Sequence, residues 1–135
     1  MKRFILEKSK RDVLTSHSGL ALVGLCLNRH SQLPARADEL LPCQGIKSSD
    51  VVRSYVGLLS LGQNDYEAIA NRRDDAVFRT SLGIGAIPSA ETMRQRLDQM
   101  PAPFRGAVAD AATRVDLARQ GTGDSLGERP RGARL

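Results

Sequence analysis

The stretch that most constrains the fold of this chain runs from Asp75 to Leu97. A short amphipathic segment is followed by glycines at positions 83 and 85, and Pro88-Ser89 then opens a second helical segment that carries Arg94 and Arg96. Two short helices joined by a glycine-containing turn are typical of a helix-turn-helix-like unit, which presents the polar face of its second helix to a partner. Nucleic acid is therefore the first partner to consider.

The composition favours helices in the rest of the chain as well. Aromatic residues make up 4% of the 135 residues and Trp is absent, so Leu, Val, Ile and Ala must build the core. A chain of this length suits one domain. We predict an all-α fold with a basic N-terminal arm over 1–15, a helical, DNA-binding domain over 16–100, a further helix over 101–119 and a disordered tail over 120–135.

Capping and stop patterns place the individual helices. Ser16 or Ser18 is expected to cap a helix that ends near Arg29, and its apolar side chains lie nearly all round, which predicts a central, buried helix. Pro34 predicts a short helix through 41 with Asp38 and Glu39 facing solvent. Further helices are predicted over 51–61, 66–71, 77–82 and 89–100, the first begun by Ser48-Ser49-Asp50 and closed by Gly62.

The formal charge of +5 suits a polyanionic partner, and much of the excess lies at the N-terminus. Three groups of side chains are candidate DNA contacts: the arm, a pair between two helices, and the polar face of the helix over 89–100. Each group also has an explanation that does not involve DNA. The charges of the arm could serve solubility, and the arginine pair could stabilise the C-terminus of the helix before it. The helix face could simply be solvated, with Arg94 expected to pair with Asp98. The candidates are Lys2, Arg3, Lys8, Lys10 and Arg11; Arg72 and Arg73; and Thr92, Gln95, Arg96 and Gln99.

Catalytic and metal sites are not indicated by the sequence. Cys26 and Cys43 lie in no paired spacing that zinc prefers, and Cys26 with His30 is more simply a core residue beside a surface one. The acids lie beside basic neighbours rather than in a convergent set for divalent ions. No cofactor is expected. The apolar run over 20–27 is shorter than a membrane span, so we predict a cytoplasmic protein.

Several blocks of the chain resemble bacterial insertion-sequence transposases of the DDE class, in the order in which that class has them. The opening MKRFILEKSKRDVLTSHSGLALVGLCLNR looks like the start of such proteins, and the insertion sequence thirteen-eighty family is the most similar branch. The similarity covers about residues 1–100. Its second part is carried by Ser49-Asp50, Gly57-Leu58-Leu59, Leu61-Gly62, Asp65, Glu67-Ala68-Ile69, Phe78, Leu82-Gly83, Pro88-Ser89, Thr92, Arg94 and Arg96-Leu97.

In that family the helical region leads into an RNase H-like domain whose Asp-Asp-Glu set binds divalent metal. This chain departs from the pattern after Met100, where no strand with a first catalytic aspartate follows. The resemblance thus implies a truncated transposase that binds duplex DNA at terminal inverted repeats, near the nucleoid, without strand-transfer activity of its own. The alternatives are a regulator that occupies the ends, an interaction module that pairs with transposase subunits through the Val51–Leu59 face, and a pseudogene product with no stable fold.

Overall fold

The computed structural model describes residues 15–123, with the side chains of Val115 and of residues 118–123 left out. Within this range the fold is all-α and contains no strand, which confirms the predicted class. The helices are α1 (Leu20–Arg29), α2 (Leu33–Leu40), α3 (Ser48–Ser60), a 3-10 helix (Tyr66–Arg72), α4 (Ala76–Leu82), α5 (Ala90–Asp98) and α6 (Pro103–Gly123). None of these helices is long and apolar enough to span a membrane.

Helix α3 is the centre of the packing. It contacts α1, α2, the 3-10 helix, α4 and α5, whereas α6 rests on α2. The main core has Val51 and Leu58 of α3 at its middle, and both side chains are fully buried. Its other buried members are Leu20, Ile69, Phe78, Leu82, Ile84 and Met93. A second, smaller cluster of Leu33, Ala37 and Val52 lies beneath α6.

Helix α1 does not occupy the central position predicted for it. Its buried residues are Leu20, Gly24 and Leu27, while Leu22 is 67% exposed and Leu25 is 47% exposed. The cap prediction is also wrong, because Gly19 precedes the helix and no side chain caps it. The helix is covered on one side by α3 and α4, and no described helix packs closely on the other side, so its all-round hydrophobicity does not lead to all-round burial within residues 15–123.

The start of α3 differs from the prediction in an informative way. Ser48, Ser49 and Asp50 do not precede the helix but form its first turn, and all three are buried. The Ser48 hydroxyl donates to the Leu41 carbonyl (2.6 Å), and the Ser49 N–H donates to Asp38 Oδ1 (2.7 Å). The prediction that Asp38 faces solvent is wrong, because this side chain is half-buried and satisfies a free N–H group at the helix start.

The other boundaries follow the sequence closely. Gly62 has a φ of +73° after α3, and the Gln63 and Gly62 N–H groups donate to the Leu58 and Leu59 carbonyls, which is the predicted glycine stop. The segment after Asp65 is helical as expected, although as a 3-10 helix. Helix α6 continues to Gly123, so positions 120–123 are helical rather than part of the predicted tail. Residues 124–135 lie outside the described range.

Close helix packing depends on glycine at two positions. A Cβ at Gly24 would meet the backbone carbonyl of Ser81, and one at Gly57 would meet the side chains of Phe78 and Leu82. Both contacts join α4 to its neighbours. Gly106 in α6, by contrast, has nothing within 4 Å of the corresponding position.

We expect Gly24→Ala to lower the free energy of unfolding by about 1–3 kcal/mol, since the obstructing atoms are backbone and can move only with α4. Urea unfolding monitored by circular dichroism measures the change. Gly106→Ala is the matched control, and it should raise stability by about 0.5–1 kcal/mol because alanine loses less backbone freedom in a helix. Equal effects of the two substitutions would contradict the close α1–α4 contact.

Candidate nucleic-acid interface

Helix α5 carries the predicted DNA-contacting face, and its first turn is well defined. Ser89 precedes the helix, and its hydroxyl oxygen accepts a hydrogen bond from the Thr92 N–H at 3.1 Å. Met93, one residue further on, is fully buried in the main core. The capping hydroxyl and the buried side chain together fix how α5 is rotated, so one side of the helix faces α3 and the other faces solvent.

The segment that leads into α5 is held by a buried carboxylate. Asp50 of α3 is 7% exposed, and its two oxygens accept hydrogen bonds from the Gly85 N–H at 3.1 Å and the Ala86 N–H at 3.0 Å. Because a buried carboxylate needs such partners, this pair of bonds satisfies Asp50 and the loop at the same time. A Cβ at Gly85 would lie 3.2 Å from Asp50 Oδ2, so glycine permits this close approach.

A second α3 side chain holds the end of α4. Arg53 donates from Nη1 to the Leu82 carbonyl at 2.8 Å and from Nη2 to Asn28 Oδ1 at 2.8 Å. The guanidinium therefore connects α3 with the last residue of α4 and with the C-terminal part of α1. Asp50 and Arg53 lie one helical turn apart on α3, so the start and the middle of the α4–α5 connection are attached to the same helix.

Of the four residues predicted to contact DNA here, three lie on α5 and Gln99 directly follows it; they share one side of the helix but differ in availability. Gln95 and Gln99 are exposed, and Arg96 is half-buried without an ion pair to any residue in the described range. Gln95 Nε2 donates to Glu91 Oε1 at 2.8 Å. Thr92 is the least available, because its hydroxyl lies 2.9 Å from Ser89 Oγ and is part of the helix start.

Arg94 lies on a different side of α5 and has acidic partners. It is 3.4 Å from Glu91 and 3.6 Å from Glu67 of the 3-10 helix, rather than paired with Asp98 as the sequence spacing predicted. The prediction failed because Glu67 belongs to another element, whose position next to α5 is a matter of tertiary packing. Arg94 therefore serves to join α5 to the 3-10 helix.

The adjacent arginines at 72 and 73 have different environments. Arg72 forms an ion pair with Asp75 at 3.3 Å, and its side chain is only 16% exposed. Arg73 is exposed and lines a groove of 410 Å³ together with the first turn of α5, including Ser89 and Glu91. Of this pair, Arg73 is the better placed to meet a phosphate near α5.

The α4–α5 unit is wider than a typical helix-turn-helix. Seven residues, 83–89, separate the two helices, compared with the three or four of the usual turn. Helix α4 packs mainly on α1, and α5 packs mainly on the 3-10 helix. The glycine turn is present, since Gly83 has a φ of +66° and follows α4 directly.

The charge of the described body is nearly balanced. Residues 15–123 contain 12 basic and 11 acidic side chains, a net charge of +1, so residues 1–14 and 124–135 carry most of the formal charge of +5. The arm candidates Lys2, Arg3, Lys8, Lys10 and Arg11 lie outside the described residues. Any strong, general attraction to a polyanion must therefore come from the two ends of the sequence rather than from the helices.

No three His, Cys, Asp or Glu side chains come together among residues 15–123. Cys26 and Cys43 are free thiols, and Cys26 and His30 are both exposed, so Cys26 is not the core residue suggested by its neighbours. On the Val51–Leu59 face, Val51, Val52 and Leu58 are buried in the core, whereas Leu59 is 47% exposed.

Tyr66 lies where the 3-10 helix meets α5 and α3. Burial raises the pKa of its hydroxyl above 10.0, and neighbouring Tyr55 and the carboxylate of Asp98 raise it further, while Arg94 acts in the opposite direction. The Tyr55 and Tyr66 rings are 5.4 Å apart between centroids. The folded state therefore favours the protonated phenol.

Comparison with protein-family models, curated proteins and solved structures finds no match for this chain. The resemblance to DDE transposases therefore stays a prediction from the sequence.

We expect Asp50→Asn to release the 83–86 segment, because an amide offers one oxygen acceptor where the carboxylate offers two. The missing acceptor leaves a buried N–H group unpaired and should cost about 1–3 kcal/mol. Hydrogen exchange at the Gly85 and Ala86 amides should accelerate more than exchange in α2. Asp98→Asn, at an exposed position, is the control and should leave the exchange rates of these amides unchanged. If the Gly85 and Ala86 amides exchange equally slowly in both variants, Asp50 does not hold this segment.

The Tyr66 hydroxyl should make stability fall with pH above its ordinary pKa. Because the folded-state pKa is raised, the folded chain retains a proton that the unfolded chain loses, and the stabilisation present below pH 10.0 declines above it. Urea unfolding of the native chain and of Tyr66→Phe at successive pH values from about 9 to about 11 measures this. The free energy of unfolding of the Tyr66→Phe variant should fall less steeply with pH in this window. If it falls with the same slope in both proteins, Tyr66 is not the group responsible.

Proposed function

We propose that this chain is the DNA-binding N-terminal part of an insertion-sequence transposase of the DDE class and has no strand-transfer activity of its own. The observation that carries the proposal is the solvent-facing side of α5, where Gln95, Arg96 and Gln99 project from a helix whose other side is fixed by Met93. Arginine and glutamine are among the side chains that most often read base edges. The blocks that resemble the thirteen-eighty family include this helix.

In this proposal two parts of the chain make different contributions to DNA binding. The basic arm supplies affinity that does not depend on DNA sequence, because lysines and arginines release counterions from phosphates. Helix α5 supplies discrimination between DNA sequences. Residues 15–123 have a net charge of only +1, which is too little to bind a duplex strongly without the arm. Arg73, at the N-terminal side of α5, is suited to contact a phosphate and thereby set the angle of the helix.

The expected partner is double-stranded DNA that carries terminal inverted repeats, with transposase subunits as a further partner. No cofactor is assigned to this chain, because the divalent metal of such enzymes belongs to a catalytic domain beyond the region of resemblance. The site of action in this proposal is the nucleoid in the bacterial cytoplasm.

Fluorescence anisotropy tests these two contributions to DNA binding. It compares a duplex that carries terminal inverted repeats of the thirteen-eighty family with a scrambled duplex. Gln95→Ala combined with Arg96→Ala should weaken binding to the repeats by about 1–3 kcal/mol and leave scrambled binding nearly unchanged, because the variant cannot read base edges. Lys8, Lys10 and Arg11 changed together to Ala should weaken both duplexes and reduce the slope of the salt dependence by up to about 0.9 for each phosphate that these side chains neutralise.

Arg94→Ala is the matched control, since this arginine is on the same helix but already has Glu67 and Glu91 as partners. Its effect on either duplex should be small. Binding of both duplexes with equal affinity and a steep salt dependence would leave the arm as the sole contact. If the folded chain binds neither duplex, the proposed function is wrong.

A further inference from the structure

An apolar groove runs between α1 and α6. Leu22 and Cys26 lie on its α1 side, Val108 lies on its α6 side, and Leu33 and Val56 form its floor. Its volume is 550 Å³. The groove exists because α6 rests on α2 through Phe104, Ala107 and Ala111 and does not pack closely against α1.

None of the side chains that the structure describes covers the groove. Leu22 is 67% exposed and Val108 is 44% exposed, on opposite walls of the same cleft. Single exposed leucines are ordinary on a protein surface, but a contiguous apolar cleft usually marks a contact site. A segment that fits it must be short and rich in large apolar side chains.

We propose that Phe4-Ile5-Leu6 of this same chain occupies the groove. These three residues are the longest run of large apolar side chains among the residues that lie outside the described range. The other such segment, 124–135, has only Leu126 and Leu135 as large apolar residues, and Arg and Gly dominate it. Phenylalanine brings more apolar area than any other side chain of either segment.

Chain connectivity allows this occupant to reach the groove. Thr15 is where the described range begins, and α1, which follows it, is one wall of the groove. The nine residues from Leu6 to Thr15 span up to about 30 Å when extended. Helix α1, with its 10 residues, is about 15 Å long, so the segment can lie anywhere along that wall.

The charges of segment and groove are complementary. Asp116 is the charged side chain that lines the cleft, and Lys2 and Arg3 directly precede Phe4. The apolar segment follows two basic side chains, and the apolar cleft has an acidic side chain in its lining. The proposal does not depend on DNA binding, and it implies that the arm starts from a fixed place on the domain.

The thiol of Cys26 provides the measurement, because it lies inside the groove while Cys43 lies elsewhere, near the Ile46 carbonyl. Modification of each cysteine by a small maleimide is followed by mass spectrometry, and the Cys43 rate is the internal control, because global unfolding would raise it as well. The intact chain is compared with a variant that carries Phe4→Ser, Ile5→Ser and Leu6→Ser together.

The ratio of the Cys26 rate to the Cys43 rate should rise by about fivefold or more in the triple variant if the segment fills the groove for most of the time. Val108→Asp, on the groove wall, should raise it likewise, and Leu126→Ser is a control that should not. Equal ratios in the intact chain and the triple variant would overturn the proposal. Protection of Cys26 that increases with protein concentration would also overturn it, because a second copy would then be the occupant.

Discussion

The two hydrogen bonds from the Gly85 and Ala86 amides to the buried Asp50 carboxylate are the contact on which the placement of α5 depends. Residue 50 lies in the first turn of α3, so the loop before α5 is attached directly to the central helix. Without this attachment, the Ser89 cap and the core contacts of Met93 would have to position α5 by themselves. The polar side of α5 faces outward because an acid 35 positions earlier in the chain holds the loop in place.

The same helix organises the rest of the domain through side chains of two kinds. Val51 and Leu58 lie at the middle of the main core, whereas Asp50 and Arg53 satisfy backbone groups of other elements. Arg53 reaches both Leu82 and Asn28, so the ends of α4 and α1 are held by one guanidinium. Charged groups are costly to bury, and here they are accepted because each one replaces several water contacts by fixed partners.

Most of the local structure was predictable from the sequence, apart from the starts of α1 and α3, whereas long-range contacts were not. Asp65, Asp75 and Ser89 begin helical segments by accepting bonds from N–H groups two or three residues ahead, and Gly62 stops α3 through bonds of similar range. The partners of Asp50 and Arg53, and Glu67 as one of the two partners of Arg94, belong to other elements, and periodicity does not reveal them. For the same reason the sequence did not predict that α3, rather than α1, is the central helix. The hydrophobicity of a helix indicates that it packs against other elements, but not how many elements cover it.

The division of the apolar residues into two clusters gives the chain a modular character. Every buried member of the main core falls between Leu20 and Met93, and α6 contributes only to the smaller cluster beneath it, through Phe104, Ala107 and Ala111. Replacing the sequence beyond residue 100 would therefore uncover Leu33, Ala37 and Val52 and leave the buried members of the main core in place. A chain with a different sequence beyond this point would keep the same main core, so α6 and the helical body before it can vary independently in sequence.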